Sequence, residues 1–304
     1  MRLLGPAALT AASLVLLLAT DRGLLAQAGA APAPSLALAP AAATAPLPPP
    51  RIRPTVLPDS PARREALPRR VFTGAGFDAC SAPPLDTMKA WRASSPYGAV
   101  GIYTSGGQRA CDQARLTADW VRKVRAMGWQ LIPTHVGTQA PCSAATHKPK
   151  RIDPADAVAQ GRAEAAEAVL GLRALGLGRG SPVYLDIEAY PRGDAGCSKA
   201  VVDFTLGWTQ ALHGAGYRSG FYSSSDSGIA DLAAAARAGS SPMPDAIWYA
   251  RWDDRSVTDG AGAVDADQWV YHQRIHQHHG NVQESYGGAE LTVDRDQLDA
   301  LVAT

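Results

Sequence analysis

The chain has no run of lysine and arginine interleaved with aromatics, and its net charge is only +1. It therefore lacks the electrostatic footprint of a nucleic-acid-binding protein. It has four cysteines and no C-x-x-C pair, so a metal site built from thiolates has no support. There is no G-x-S-x-G elbow, since Ser223-Ser224-Ser225 does not fit that pattern. No glycine-rich phosphate loop follows the first strand-like segment, which removes the anchor of a dinucleotide site. Long apolar runs are also missing. The run over Leu14–Ala19 is too short to span a bilayer and is interrupted by Asp21 and Arg22. No arginine pair precedes that run; Arg63-Arg64 and Arg69-Arg70 come too late to mark a twin-arginine signal.

What is present divides the chain into three. Residues 1–28 read as a signal peptide: Arg2, an apolar core, and the small-residue site Ala26-Gln27-Ala28. Residues 29–70 are rich in alanine and proline, a composition that cannot bury a core and favours extended conformations, so a disordered linker is expected. Residues 71–304 are long enough for one substantial core. The protein is expected to be secreted and associated with a cell wall, without a stable membrane span after signal cleavage and as a single copy.

Within 71–304, strand-like and helix-like segments alternate. Strands are predicted at Val71–Asp78, Ala99–Thr104, Gln130–Val136, Pro182–Glu188, Arg218–Ser223, Ala246–Trp252, Gln268–Arg274 and Leu291–Asp294. Helices are predicted at Leu85–Arg92, Gln113–Met127, from an Asp153 cap with Pro154 at the first helical position to Leu175, Lys199–His213, Ile229–Ala238 and Asp296–Val302. Eight strands mostly separated by helices predict an α/β fold, a (β/α)8 TIM-type barrel, rather than an open doubly wound sheet.

The stretch PVYLDIEAY, 182–190, is the most informative. It is an apolar strand ending in two acids one residue apart. Period-two alternation puts Asp186 and Glu188 on one side, with Cβ atoms roughly 6.5–7 Å apart. A structural acid pair is the plain reading. Acids are costly to bury, however, and a barrel collects its functional groups at the carboxyl ends of its strands. Those ends are Asp78, Tyr103, His135, Asp186, Glu188, Tyr222, Trp252, Gln273 and Asp294. Aromatics can stack on sugar rings, amides and acids can bond hydroxyls, and an acid with a raised pKa can donate a proton. Together these are the apparatus of glycoside cleavage.

GFDACS at 76–81, YLDIEAY at 184–190, GFYSSS at 220–225, IWYARW at 247–252, Gln273 and TVDRD at 292–296 resemble the successive strand ends of family 25 glycoside hydrolases, the lysozyme-type muramidases. More closely, 71–304 resembles secreted glycoside-hydrolase-like barrels of unassigned function related to those lysozymes. The resemblance implies Glu188 as general acid, with Asp186 stabilising the transition state or orienting a substrate amide. It implies that Asp78 and Asp294 tune those acids and hold substrate, and that Tyr222, Trp252 and Gln273 shape the subsite. It implies assistance by the substrate's acetamido group and no cofactor. The motif departs from the lysozymes where Ala79 and Cys80 follow Asp78. A catalytically inactive carbohydrate-binding barrel is the alternative. The partner in either case is a cell-wall polysaccharide, substrate or ligand.

Cys80, Cys111, Cys142 and Cys197 follow strands one to four. An even count in an exported chain implies disulfides, with three pairings open. Neighbouring loops of a barrel lie closest, which predicts Cys80–Cys111 and Cys142–Cys197. The histidines of YHQRIHQHHG, with His135, raise a lesser alternative, a metal-dependent glycan deacetylase using an aspartate and two histidines. They fall in a polar stretch without an H-x-x-x-H pair on a helix, so no metal ligand is assigned.

Overall fold

The computed structural model describes residues 67–304. The expected signal peptide and the expected linker as far as residue 66 lie outside the described residues. The elements run β1 (Val71–Asp78), α1 (Leu85–Ser94), β2 (Ala99–Ser105), α2 (Ala118–Ala126), β3 (Gln130–His135), α3 (Ala157–Ala174), β4 (Pro182–Asp186), α4 (Ala195–Ala215), β5 (Arg218–Ser224), a π-helical turn (Ser225–Ile229), α5 (Ala230–Arg237), β6 (Ala246–Ala250), β7 (Arg274–Tyr286) and β8 (Ala289–Leu301). The eight strands close in sequence order into one barrel. No helix among the described residues is long and apolar enough to cross a membrane.

The local chemistry accounts for the elements. β4 is buried along its whole length and β2 along nearly all of it, because the barrel interior covers one face and the helical layer the other. Thr117 caps α2 by accepting from the Trp120 amide at 3.1 Å. Asp194 caps α4 by accepting from the amides of Gly196 and Cys197 at 2.8 and 3.1 Å. α3 and α4 pack closely through Gly161 and Gly207. A Cβ on the first would stand 2.0 Å from the Phe204 carbonyl oxygen, and one on the second 2.1 Å from that of Val158. One core fills the barrel, including Ile132, Tyr184, Trp248, Ile275 and Leu298. Another lies between barrel and helices, around Phe77, Trp91, Trp129, Phe204 and Trp208.

The final third departs from a (β/α)8 repeat. β1 to β7 run parallel, but β8 is antiparallel to both β7 and β1, and the described residues contain five α-helices rather than eight. The predicted strand at Gln268–Arg274 is a turn up to Gln273: Trp269 and His272 hold positive φ (51° and 57°), which a strand cannot accommodate. β7 begins at Arg274 instead. The predicted helix at Asp296–Val302 is the second half of β8, pairing residue by residue from Asp296 against Gly76 to Leu301 against Val71. Its Leu298 and Ala300 alternate into the barrel, and the open edge of β1 requires a strand there rather than a helix. β7 and β8 are joined by Gly287-Gly288, both at positive φ, a two-residue turn suited to a hairpin. α3 starts three residues after the predicted proline, behind Asp156.

Residues 67–70, expected to belong to the linker, lie against the barrel. The Arg70 carbonyl accepts from the Val302 amide at 3.0 Å, and Leu67 accepts from the Arg218 guanidinium at 3.2 Å.

Candidate functional site

The carboxyl ends of the parallel strands open into a cavity of about 490 Å³. Asp78, Tyr103, Asp186, Glu188, Tyr222, Trp252 and Asp294 all line it. Asp294 reaches the mouth from the opposite chain direction. Because β8 is antiparallel to β1, Asp294 pairs directly with Asp78 although it lies mid-strand.

A hydrogen-bonded network holds these groups. Tyr103 donates its hydroxyl to Asp78 Oδ1 at 2.7 Å. Gln277 Nε2 donates to Asp78 Oδ2 at 3.0 Å and to Asp294 Oδ2 at 3.3 Å. Gln277 Oε1 accepts from Tyr222 at 3.1 Å and from the Trp252 indole at 3.3 Å. The Asn281 amide donates to Asp294 Oδ1 at 2.6 Å. Buried Gln139 sets the backbone of the acid pair, donating to the Asp186 carbonyl at 2.9 Å and accepting from the Glu188 amide at 2.8 Å. The strand ends at Asp186, so this glutamine rather than sheet pairing orients Glu188.

The charge balance is acidic. Burial, then the Asp294 charge, pushes the Asp78 carboxyl up to about 7 against the hydrogen bonds from Tyr103 and Gln277. Burial and the adjoining Glu188 push Asp186 up to about 7, and Lys148 offsets only part of that rise. Burial raises Asp294 as well. Beneath the mouth, Asp296 is fully buried, accepts from the Trp248 indole at 2.9 Å, and is held well above the usual carboxylate range by burial and by Asp78 and Asp294. The buried cation among them is Lys148, from the loop between β3 and α3. Its ammonium contacts Glu188 Oε1 and lies 3.6 Å from Asp186 Oδ2. Burial alone would lower this lysine, but the two carboxylates prevail and raise it.

Two expected site residues lie elsewhere. His135 is fully buried with its ring turned away from the cavity; alternation along β3 gives that lining to Thr134 and Val136. Its Nδ1 meets Ser105 Oγ at 2.8 Å and its Nε2 meets Glu164 on α3. Gln273 precedes β7 at the foot of the barrel and donates to the Asp245 carbonyl at 2.6 Å. Gln277, four residues on, occupies the mouth in its place. Correct placement of the strand over RIHQHHG would have pointed to Gln277, whereas nothing in THKPK marks Lys148.

Of the remaining histidines, His147 lines the cavity beside Lys148, whereas those of the 272–279 stretch are not among its lining residues. His276 is buried between the Val257 and Arg251 carbonyls, His272 pairs with Asp299, and His279 pairs with Asp254. Among the described residues, one group with ligand atoms within 4.8 Å of one another combines His135, Glu164 and Glu167. All three already bond protein partners: His135 and Glu164 each other, and Glu167 the Gly106 amide. The cysteines form Cys80–Cys111 and Cys142–Cys197. Cys197 lies in the first turn of α4 rather than in a loop.

The mouth of the barrel thus gathers buried acids, tyrosines, an indole and a bridging amide. The sequence profile of the Rv2525c-like, glycoside hydrolase-like domain matches residues 89–298. The chain belongs to that family. No curated protein matches the sequence. Solved structures similar to this chain include an uncharacterized B. stearothermophilus protein (17% identity, TM-score 0.48, covering 75% of this chain and 99% of that one). The modular autolysin LytC from Streptococcus pneumoniae is similar at 12% identity and a TM-score of 0.48, covering 76% of this chain and 47% of the autolysin. A muramidase from Acremonium alcalophilum is similar at 16% identity and a TM-score of 0.45, covering 75% and 93%.

Proposed function

We propose that the protein hydrolyses glycosidic bonds in peptidoglycan or a related cell-wall glycan, acting outside the cell after removal of residues 1–28, with 29–70 as linker and 71–304 as the working domain. The observation that carries this reading is the convergence of Asp78, Asp186, Glu188 and Asp294 on one cavity with Tyr103, Tyr222 and Trp252. Acids held near neutrality can exchange a proton at the pH where a wall enzyme works. Trp252, 58% exposed at the rim, offers an indole face to a sugar ring. The Asp186/Glu188 pair supplies the proton for the leaving oxygen, a role that the family 25 resemblance gives to Glu188. Asp78 and Asp294, bridged by Gln277, hold substrate and keep the pair from losing its proton too early.

The test is reducing-end release from purified peptidoglycan by the secreted protein, beside Asp186→Asn and Glu188→Gln. Release by the parent that drops about 10²–10⁴-fold in a variant of the pair is expected. Equal release by parent and both variants would remove the pair from the chemistry. One observation favours a second reading, a glycan-binding barrel without turnover: Lys148 already occupies the acid pair. Its signature is glycan affinity that survives both substitutions, with no release by the parent.

A further inference from the structure

We infer that Arg109 and His147 form a subsite for an anionic substituent of the glycan, a carboxylate or a phosphate, and so select acidic over neutral saccharides. The inference rests on the glycan reading of the mouth and adds a specificity to it.

The cavity has two electrostatic sides. Its acids come from β1, β8 and the end of β4, and they are buried or half-buried. Arg109 lies in the loop between β2 and α2, and His147 in the loop between β3 and α3. Both line the same cavity and both are exposed. Lys148 between them is committed to Glu188 and Asp186. Among the described residues, Arg109 and His147 have no carboxylate partner. Trp252 stands opposite. It follows β6, and in a ring of eight strands closed in sequence order β6 is the strand farthest from β2. A saccharide laid across the mouth with one ring on Trp252 would bring its far end to Arg109.

The cationic wall is built rather than loose. Arg109 Nε donates to the Gly106 carbonyl at 3.0 Å and Nη1 donates to the Tyr103 carbonyl at 3.2 Å. These bonds fix the guanidinium plane and leave Nη2 without a partner among the described residues. A planar fork held by carbonyls keeps its charge for a ligand and matches the oxygens of a carboxylate or phosphate. Neighbouring Gln108 is buried and stitches the two loops together. Its Nε2 donates to the Gly137 and Lys150 carbonyls at 2.5 and 3.3 Å, and its Oε1 accepts from the Lys150 amide at 2.6 Å. Gly106, at φ 95°, allows this close approach, since a Cβ there would stand 2.1 Å from the Val136 carbonyl oxygen. Cys80–Cys111 anchors the first loop and Cys142–Cys197 the second.

There is also room beyond the guanidinium. Arg109 lines a second, polar cleft of about 380 Å³ that runs over Gly106, Gly107 and Gln113. A substituent larger than a single anionic group can extend there. In peptidoglycan the lactyl ether on alternate sugars is where acids hang from the strand, as its own carboxyl or as those of an attached peptide.

Titration calorimetry of the secreted protein tests this without requiring turnover. The probes are neutral chitotetraose, its 6-phosphate, a tetrasaccharide alternating N-acetylglucosamine with N-acetylmuramic acid, and the methylamide of that tetrasaccharide's lactyl carboxyls. One anionic probe is expected to bind about tenfold tighter than its neutral counterpart. A gain for the free lactyl acid over the methylamide assigns the anion to the ether. A gain for the phosphate over chitotetraose assigns it to a sugar phosphate. In Arg109→Gln the gain is expected to vanish while the neutral probes keep their affinity within about twofold, and Arg109→Lys is expected to restore part of it. In the parent, raising salt from about 0.05 to 0.5 M is expected to weaken the anionic probe and spare the neutral one. Equal affinity for anionic and neutral probes overturns the subsite and leaves the glycan reading standing. So does an Arg109→Gln loss that is the same for both kinds of probe, which marks a structural role alone. Failure of every probe to bind the parent ends the glycan reading and this inference with it.

Discussion

Burying several acids around one cavity has a cost that depends on pH. Asp78 and Asp186 both titrate near 7 in the folded protein, against about 3.9 for an unperturbed aspartate. The folded state therefore holds these protons longer than the unfolded state does. Their contribution to stability is fully present below about 3.9 and drains as the pH rises through about 7. Each group supplies a slope of up to about 1.4 kcal/mol per pH unit across that window. Chemical denaturation at pH 5 and pH 7.5 is expected to show greater stability at the lower pH, with a shallower difference in Asp186→Asn. A variant slope equal to the parent's would mean that Asp186 is not the proton holder. At this scale the sequence was informative about types and partly silent about partners. Acids at the ends of apolar strands are conspicuous because burial penalises them, so Asp78, Asp186, Glu188 and Asp294 were legible. Lys148 was not, since a lysine in a polar loop looks like any solvated lysine until the chain folds it inward.

At the scale of elements, the rim depends on how β7 bends after Gln277. The register between β7 and β8 shifts between Gln277 and His279 and again before Val282, and in that irregular stretch Gly280 lies directly beneath the Trp252 ring. A Cβ on Gly280 would stand 1.9 Å from the indole Cζ2. Gly280→Ala is therefore expected to displace Trp252 from Gln277 and weaken binding of a soluble peptidoglycan fragment about tenfold, or ~1.4 kcal/mol. Titration calorimetry beside Trp252→Ala measures this. Unchanged affinity in both variants would show that the indole is not a sugar platform. The same region explains which elements could be read in advance. β1 to β6 carry apolar runs or alternation that survive translation into structure. QWVY mimics a strand but is broken by positive φ at Trp269, while the true β7 begins in RIHQHHG, whose polar residues are buried by the barrel and the 251–273 connection rather than by apolarity. The tail DQLDALV suits a helix or a strand by local pattern, and only the unpaired edge of β1 decides between them.

At the scale of the whole molecule, the antiparallel return of β8 closes the barrel and brings both ends of the described chain to one place. Val302 bonds to Arg70, Thr304 bonds to the Arg179 carbonyl and Ser181, and Pro68 lies against Gly180. All of this is at the foot, across the barrel from the acids. The domain is thus a ring with one short link missing. A circular permutant that joins Thr304 to Leu67 through a few glycines and opens at exposed Gly239, between α5 and β6, is expected to keep the parent's circular dichroism, denaturation midpoint and Asp186 titration. A permutant that fails to fold would show that β1 must be made first for the barrel to assemble. One that folds would make the order of the strands around the ring, rather than the point where the chain begins, the property that builds the mouth.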